Sequence, residues 1–127
     1  MSFEALKVLV VDDHADTQKT LAFMLEEMGI SKITTAGDGR EALQIVNAAT
    51  EEMFHIIVCD WNMPNLSGIE LLKTVRRMSG NMPFIMITAR GDAASVVEAK
   101  SSQVTSYILK PFTIEELKKK ISPFAAA

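Results

Sequence analysis

Leu6 to Asp13, LKVLVVDD, decides how the rest of the chain is read. Apart from Lys7, its first six residues are apolar, and an unbroken run of this kind suits a strand buried on both faces. Two carboxylates then end the run on charge. The pattern returns three times: Phe54 to Cys59 (FHIIVC) is followed by Asp60, Phe84 to Ile87 (FIMI) by Thr88, and Tyr107 to Leu109 (YIL) by Lys110. Lys32 to Ala36 (KITTA) is β-branched and alternating, as expected of an edge strand.

Helical patterns separate these runs. Leu21, Leu25 and Met28 share one face and Gly29 supplies a stop, while Ala42, Leu43 and Val46 repeat the spacing. Ser67 with Glu70, and Thr113 with Glu116, have the spacing of capping boxes. Each precedes an apolar stripe, Leu71, Leu72 and Val75 in the first case and Leu117 and Ile121 in the second. Asp92 to Lys100 reads as a helix with a thin apolar set, Val96, Val97 and Ala99. The result is a (βα)5 alternation, hence an α/β fold with right-handed crossovers and a doubly wound five-stranded parallel sheet. Ligands of such sheets bind beyond the carboxyl ends of the strands.

With 127 residues, 48% hydrophobic and 23% charged, the chain is expected to form one domain over 1–127 with no output domain. No apolar run approaches the roughly 20 residues that span a bilayer, and MSFEALK lacks a signal-peptide pattern, so a cytoplasmic protein without a membrane partner is expected. Thirteen basic and sixteen acidic residues give a net charge of −3, the wrong sign for a domain that works by gripping nucleic acid phosphates. Cys59 is the only cysteine, which excludes an internal disulfide and a cysteine zinc site and suggests a small buried hydrophobe.

Function is expected at the strand ends. The topology gathers Asp12, Asp13, Asp60, Thr88 and Lys110 in one crevice. Three carboxylates there repel one another unless protonated or neutralised by a cation. An oxygen donor set favours a hard ion, and a small site with two or three carboxylates suits Mg²⁺ better than Ca²⁺. A carboxylate can also act as nucleophile toward phosphorus, with a metal, a hydroxyl and an ammonium stabilising the transferred group.

VVDD, DWNMPNLSGIELLKTVR, ITAR and YILKPFT together resemble the receiver domains of two-component response regulators, and most of all the stand-alone receivers of chemotaxis. The flavodoxin-like strand order 2-1-3-4-5 comes with this resemblance, since a chemotaxis receiver is a standard example of it. The resemblance implies that Asp60 is the phosphoacceptor, and that Asp12, Asp13, Asp60 and the backbone carbonyl of Asn62 hold Mg²⁺. It further implies that Lys110 pairs with the phosphoryl group, that Thr88 swings its hydroxyl toward it, and that Tyr107 follows by turning inward from solvent. Lys110-Pro111 is expected to be cis. A sensor histidine kinase is the implied phosphodonor, and a downstream protein such as the flagellar motor switch the implied target, with a phosphatase as a further partner. On this view the protein is not an enzyme beyond its own phosphorylation and slow autodephosphorylation.

Each residue also has a plainer role available. Asp12 and Asp13 could cap a helix, Asp60 could open a turn, Thr88 could simply end a strand, and Tyr107 could be an ordinary half-buried aromatic. Lys118 to Lys120 fit a solvated helix end, with an acidic partner as the alternative. His14 and His55 are assigned to no metal, although His14 lies near enough to Asp12 and Asp13 to modulate the site. Other functions that remain open are a phosphorelay shuttle or phosphate sink, and, in a different class, an aspartyl-phosphate hydrolase. Against the last, that family resembles DxD, and Asn62 stands where the second acid is needed. The chain departs from the family at Lys100 to Ser106 (KSSQVTS), which lacks the usual glycines and is expected to change the exit of the fourth helix. Arg90, two residues past Thr88, is expected to tune the lifetime of the phosphorylated state by shielding it from water or pairing with an acid.

Overall fold

The computed structural model describes residues 3–48 and 54–125. Strands β1 (Lys7–Val11), β2 (Lys32–Ala36), β3 (Ile56–Asp60), β4 (Phe84–Thr88) and β5 (Ser106–Leu109) alternate with helices α1 (Ala15–Glu27), α2 (Gly39–Ala48), α3 (Gly68–Met78), α4 (Ala93–Ser101) and α5 (Ile114–Ile121). All pairings are parallel and the order is β2-β1-β3-β4-β5. This is the doubly wound, flavodoxin-like sheet the sequence led us to expect. Boundaries differ at strand ends: β3 starts two residues later than the apolar run and takes in Asp60, and β4 takes in Thr88.

Side chains of successive strand residues point to opposite faces, so each strand feeds two cores. Leu9, Val11, Ile57, Cys59, Phe84 and Met86 pack with Ala42 and Val46 of α2, Leu71, Leu72 and Val75 of α3, and Ala99 of α4. Val8, Val10, Ile56, Val58, Ile85 and Ile87 pack with Leu21 and Leu25 of α1 and Leu117 and Ile121 of α5. Burial on both faces is why β1, β3 and β4 read as apolar runs.

Both capping boxes are formed: Ser67 and Thr113 accept from the backbone N–H of Glu70 and Glu116, whose side chains accept in return from the capping residues' N–H groups. Gly29, at φ 99°, ends α1 in a Schellman turn, with Gly29 N–H donating to Glu26 and Ile30 N–H to Leu25.

The thin helix differs in detail from expectation. Val97 is 63% exposed and takes no part in the core; α4 is instead held through Ala99 and the buried Ser95, whose N–H donates to the Asp92 side chain. A helix with so small a buried face is weakly anchored.

The helix exit is likewise more conservative than the missing glycines suggested. Gln103 adopts φ 67°, its N–H donates to Lys100 O, and Val104 N–H donates to Ala99 O, which is again a Schellman turn. Gln103 thus occupies the left-handed position that normally goes to glycine. Arg76 of α3 clamps this loop, donating to the carbonyls of Gln103 (2.8 Å) and Met82 (2.7 Å). Because a side chain at left-handed φ costs about 1 kcal/mol, Gln103→Gly should raise stability by about that amount in urea denaturation. An unchanged midpoint would show that the Arg76 clamp already relieves the strain.

Candidate phosphoacceptor site

Strand register brings the polar residues together. Val11 lies opposite Cys59, Asp60 opposite Ile87, and Thr88 opposite Leu109. Asp12, Asp60, Thr88 and Lys110 therefore emerge as a staggered row at the carboxyl edge, although 98 positions separate the first from the last. The Lys110-Pro111 bond at the end of the row is cis.

Asp12 is 1% exposed and Asp60 8%. Lys110 Nζ lies 3.5 Å from Asp60 Oδ1 and 3.8 Å from Asp12 Oδ2, ion-pair distances rather than short hydrogen bonds. Asp60 Oδ1 also accepts from the Trp61 N–H at 2.9 Å. Burial pushes the Asp60 carboxyl above its ordinary pKa and neighbouring Asp12 adds to the shift, while Lys110 opposes it. One lysine shared between two buried acids leaves negative charge over.

Asp13 is exposed at the rim, and ligand atoms of Asp12, Asp13, His14 and Asp60 all lie within 4.8 Å of one another. Such a cluster of carboxylate oxygens suits a hard divalent cation. Gln18 on α1 braces the edge by donating to the backbone carbonyl of Asp12 at 2.6 Å.

Above the acids sits an arrangement that sequence spacing did not reveal. Thr88, fully buried, accepts through Oγ1 from the Arg90 N–H at 3.1 Å. Tyr107 donates its hydroxyl to the Arg90 carbonyl at 2.6 Å. The Arg90 guanidinium forks onto Asn62 Oδ1 through Nε (3.1 Å) and Nη2 (2.8 Å) and lies 5.0 Å over the Trp61 ring. Trp61 in turn meets Tyr107 edge-on, with centroids 6.5 Å apart. Arg90 thus links Thr88 to Tyr107 through its backbone and closes against Asn62 and Trp61 through its side chain.

Two expectations are adjusted by these contacts. Tyr107 is half-buried and hydrogen-bonded through its hydroxyl, not turned out to solvent, because the Trp61 edge and the Arg90 carbonyl give its two ends partners. Arg90 hydrogen-bonds an amide oxygen rather than an acid. Trp61 and Gln18 were missed as site residues: a lone tryptophan and a helix glutamine carry no motif, and only the pairing of β3 with β4 and the docking of α1 bring them into place. His55 lies at the opposite end of the sheet, where its Nδ1 accepts from the Lys7 N–H. Cys59 is buried, and its thiol donates to the Asp60 carbonyl; burial raises its pKa well above the ordinary value, as befits an inert thiol.

Comparison with known proteins agrees with this geometry. The response regulator receiver domain pattern matches residues 8–122. The probable chemotaxis protein CheY of Rhizobium etli is 38% identical over 117 residues, covering 91% of this chain and 88% of that protein. The chemotaxis protein CheY of Pseudomonas aeruginosa is 35% identical over 118 residues, covering 91% and 93%. Among solved structures, the Borrelia burgdorferi complex of CheX and CheY with BeF3 and Mg²⁺ superposes with a TM-score of 0.86 at 29% identity, covering 95% of this chain and 90% of that one. Sequence motifs, sheet order and the acidic crevice converge with these matches, and the chain belongs to the response regulator receiver domain family.

Proposed function

We propose that this protein is a Mg²⁺-dependent phosphoacceptor of a two-component system, phosphorylated on Asp60 by a sensor histidine kinase, and that it acts in chemotaxis. The observation that carries this is the Asp60 carboxylate, buried at the strand edge between Lys110 and the acidic cluster of Asp12 and Asp13. A nucleophile toward phosphorus must be poorly solvated, held in place and next to cationic help, and Asp60 meets all three conditions.

The Asp60 carboxylate attacks phosphorus, and the bond from phosphorus to the donor's imidazole nitrogen breaks as the new P–O bond forms. Asp12, Asp13, Asp60 and the carbonyl of Asn62 would hold Mg²⁺, which would supply positive charge to offset that on the phosphoryl oxygens. Lys110 turns from its two carboxylates to the phosphoryl group. The Thr88 hydroxyl, which accepts from the Arg90 N–H, exchanges that contact for a phosphoryl oxygen. This withdraws support from the Arg90 loop and from Tyr107, and with them from the weakly anchored α4. A phosphoryl group adds roughly −1.5 to −2 charges, enough to bias such a marginal element.

A downstream protein, with the flagellar motor switch as the nearest family match, then reads the altered surface, and a phosphatase resets it. The Borrelia burgdorferi CheY is seen bound to a second protein, CheX, which supports a protein partner for this chain. Beyond its own phosphorylation and dephosphorylation the protein performs no catalysis. No helix among the described residues is long and apolar enough to cross a membrane, and we place the protein in the cytoplasm.

Intact mass after incubation with acetyl phosphate tests the proposal. The expected result is a gain of one phosphoryl group with Mg²⁺, none with EDTA and none in Asp60→Asn. A gain that survives in Asp60→Asn would overturn the assignment of Asp60.

Arg90 shields the phosphoryl group from water through its closure on Asn62 and Trp61. Arg90→Ala should therefore lose phosphate several-fold faster than wild type while taking it up at a similar rate, read as phosphate release after removal of the donor. Equal release rates in the two proteins would exclude this role.

A further inference from the structure

The sequence assigned His14 to no metal, yet its ring is turned onto the acids. His14 is the N-cap residue of α1 and its side chain makes no capping hydrogen bond; its backbone N–H donates to Asp12 Oδ1 at 2.9 Å and its carbonyl accepts from the Gln18 N–H. Helix formation gives no reason for a histidine there, since N-caps favour Ser, Thr, Asp or Asn and the helix N-terminus is the unfavourable end of the dipole for a cation. Nδ1 lies 3.4 Å from Asp12 Oδ1 and 3.2 Å from Asp13 Oδ1, within the same cluster of potential ligand atoms as Asp60. In an octahedral site with ligands at about 2.1 Å, adjacent ligand atoms are about 3.0 Å apart. The imidazole nitrogen therefore already stands close to the spacing of a neighbouring ligand position.

We infer that His14 is a nitrogen ligand of the receiver's cation site and that it shifts the preference of the site from Mg²⁺ toward Mn²⁺ and later divalent transition ions. This rests on the cation site proposed above. Mg²⁺ is hard and takes oxygen, whereas imidazole suits the transition ions and strengthens their binding along the series that starts with Mn²⁺. With carboxylates alone the site would discriminate weakly. An added imidazole gives Mn²⁺ a bond that Mg²⁺ does not use. The side chain is 69% exposed, so it can approach a bound ion without disturbing the core.

The test is Mn²⁺ and Mg²⁺ affinity of wild type and His14→Ala, at a fixed pH of about 8, followed by tryptophan fluorescence. It is paired with the electron spin echo of Mn²⁺ bound to wild-type protein. We expect directly bound imidazole nitrogen to modulate the wild-type echo. The ratio of Mn²⁺ to Mg²⁺ affinity should fall about tenfold in His14→Ala, with Mg²⁺ affinity little changed. Absence of nitrogen modulation together with an unchanged ratio would overturn the inference while leaving an oxygen-only Mg²⁺ site standing. Failure of both ions to bind wild-type protein would remove the cation site itself and this inference with it. If His14→Ala does not fold, the wild-type echo alone decides.

Discussion

Replacing Gly68 with alanine should cost about 3 kcal/mol of stability and strip Asp60 of much of its reactivity, although residue 68 belongs to a different element. A Cβ at Gly68 would run into the Asp60 carbonyl oxygen and come within 2.9 Å of Trp61 Cα. Both are backbone atoms, which cannot rotate away, so either α3 or the loop after β3 must move. The Gly68 N–H also donates to the Trp61 carbonyl at 2.8 Å, tying the start of α3 to the same loop. Overpacking of this kind costs about 1–3 kcal/mol, and a backbone obstacle belongs at the upper end. Urea denaturation gives the stability change, and the rate of mass gain with acetyl phosphate gives the functional one. A variant as stable and reactive as wild type would mean that the loop carrying Asp60 and Trp61 yields freely.

Lys110→Ala should slow phosphorylation of Asp60 by acetyl phosphate about 100-fold, the size of effect expected when one preorganised charge is removed from a reacting centre. The ammonium stands between two buried carboxylates, at 3.5 and 3.8 Å. Without it the Asp60 carboxyl loses the contact that counters burial, so its pKa rises further and the phosphoryl oxygens lose their cation. Lys110→Arg retains the charge but not the compact, rotatable ammonium, and should recover only part of the rate. Wild-type rates in Lys110→Ala at saturating Mg²⁺ would assign charge stabilisation to the metal alone.

How much was legible in the sequence varied with the kind of signal. The five strands and the two capping boxes were visible because each rests on local chemistry: apolar runs on the inner strands, β-branched alternation on the edge strand β2, and Ser67 and Thr113 three residues ahead of glutamates. Asp12, Asp60, Thr88 and Lys110 were visible because each directly follows or ends such a run. Asn62, Tyr107 and the strand order depended on resemblance to a family, since no local rule distinguishes these residues from ordinary loop and strand positions. Val97 misled because an apolar residue in a short helix looks like core; of the expected set Ala99 is fully buried, and Ser95 rather than Val97 is buried beside it. The missing glycines misled in the same way, because Arg76 reaches the Gln103 carbonyl from another helix.

The sequence by itself therefore determined the α/β alternation, the helix starts and the chemical types gathered at the strand ends, all consequences of periodicity and near-neighbour hydrogen bonding. Only the tertiary structure decided which atoms meet. It set Lys110 between Asp60 and Asp12, closed Arg90 over Trp61 and Asn62, turned the His14 imidazole onto two carboxylates and held Tyr107 half-buried against Trp61. Those pairings depend on strand register and on how helices dock. Both are set by packing over the whole core, which no local stretch of sequence encodes.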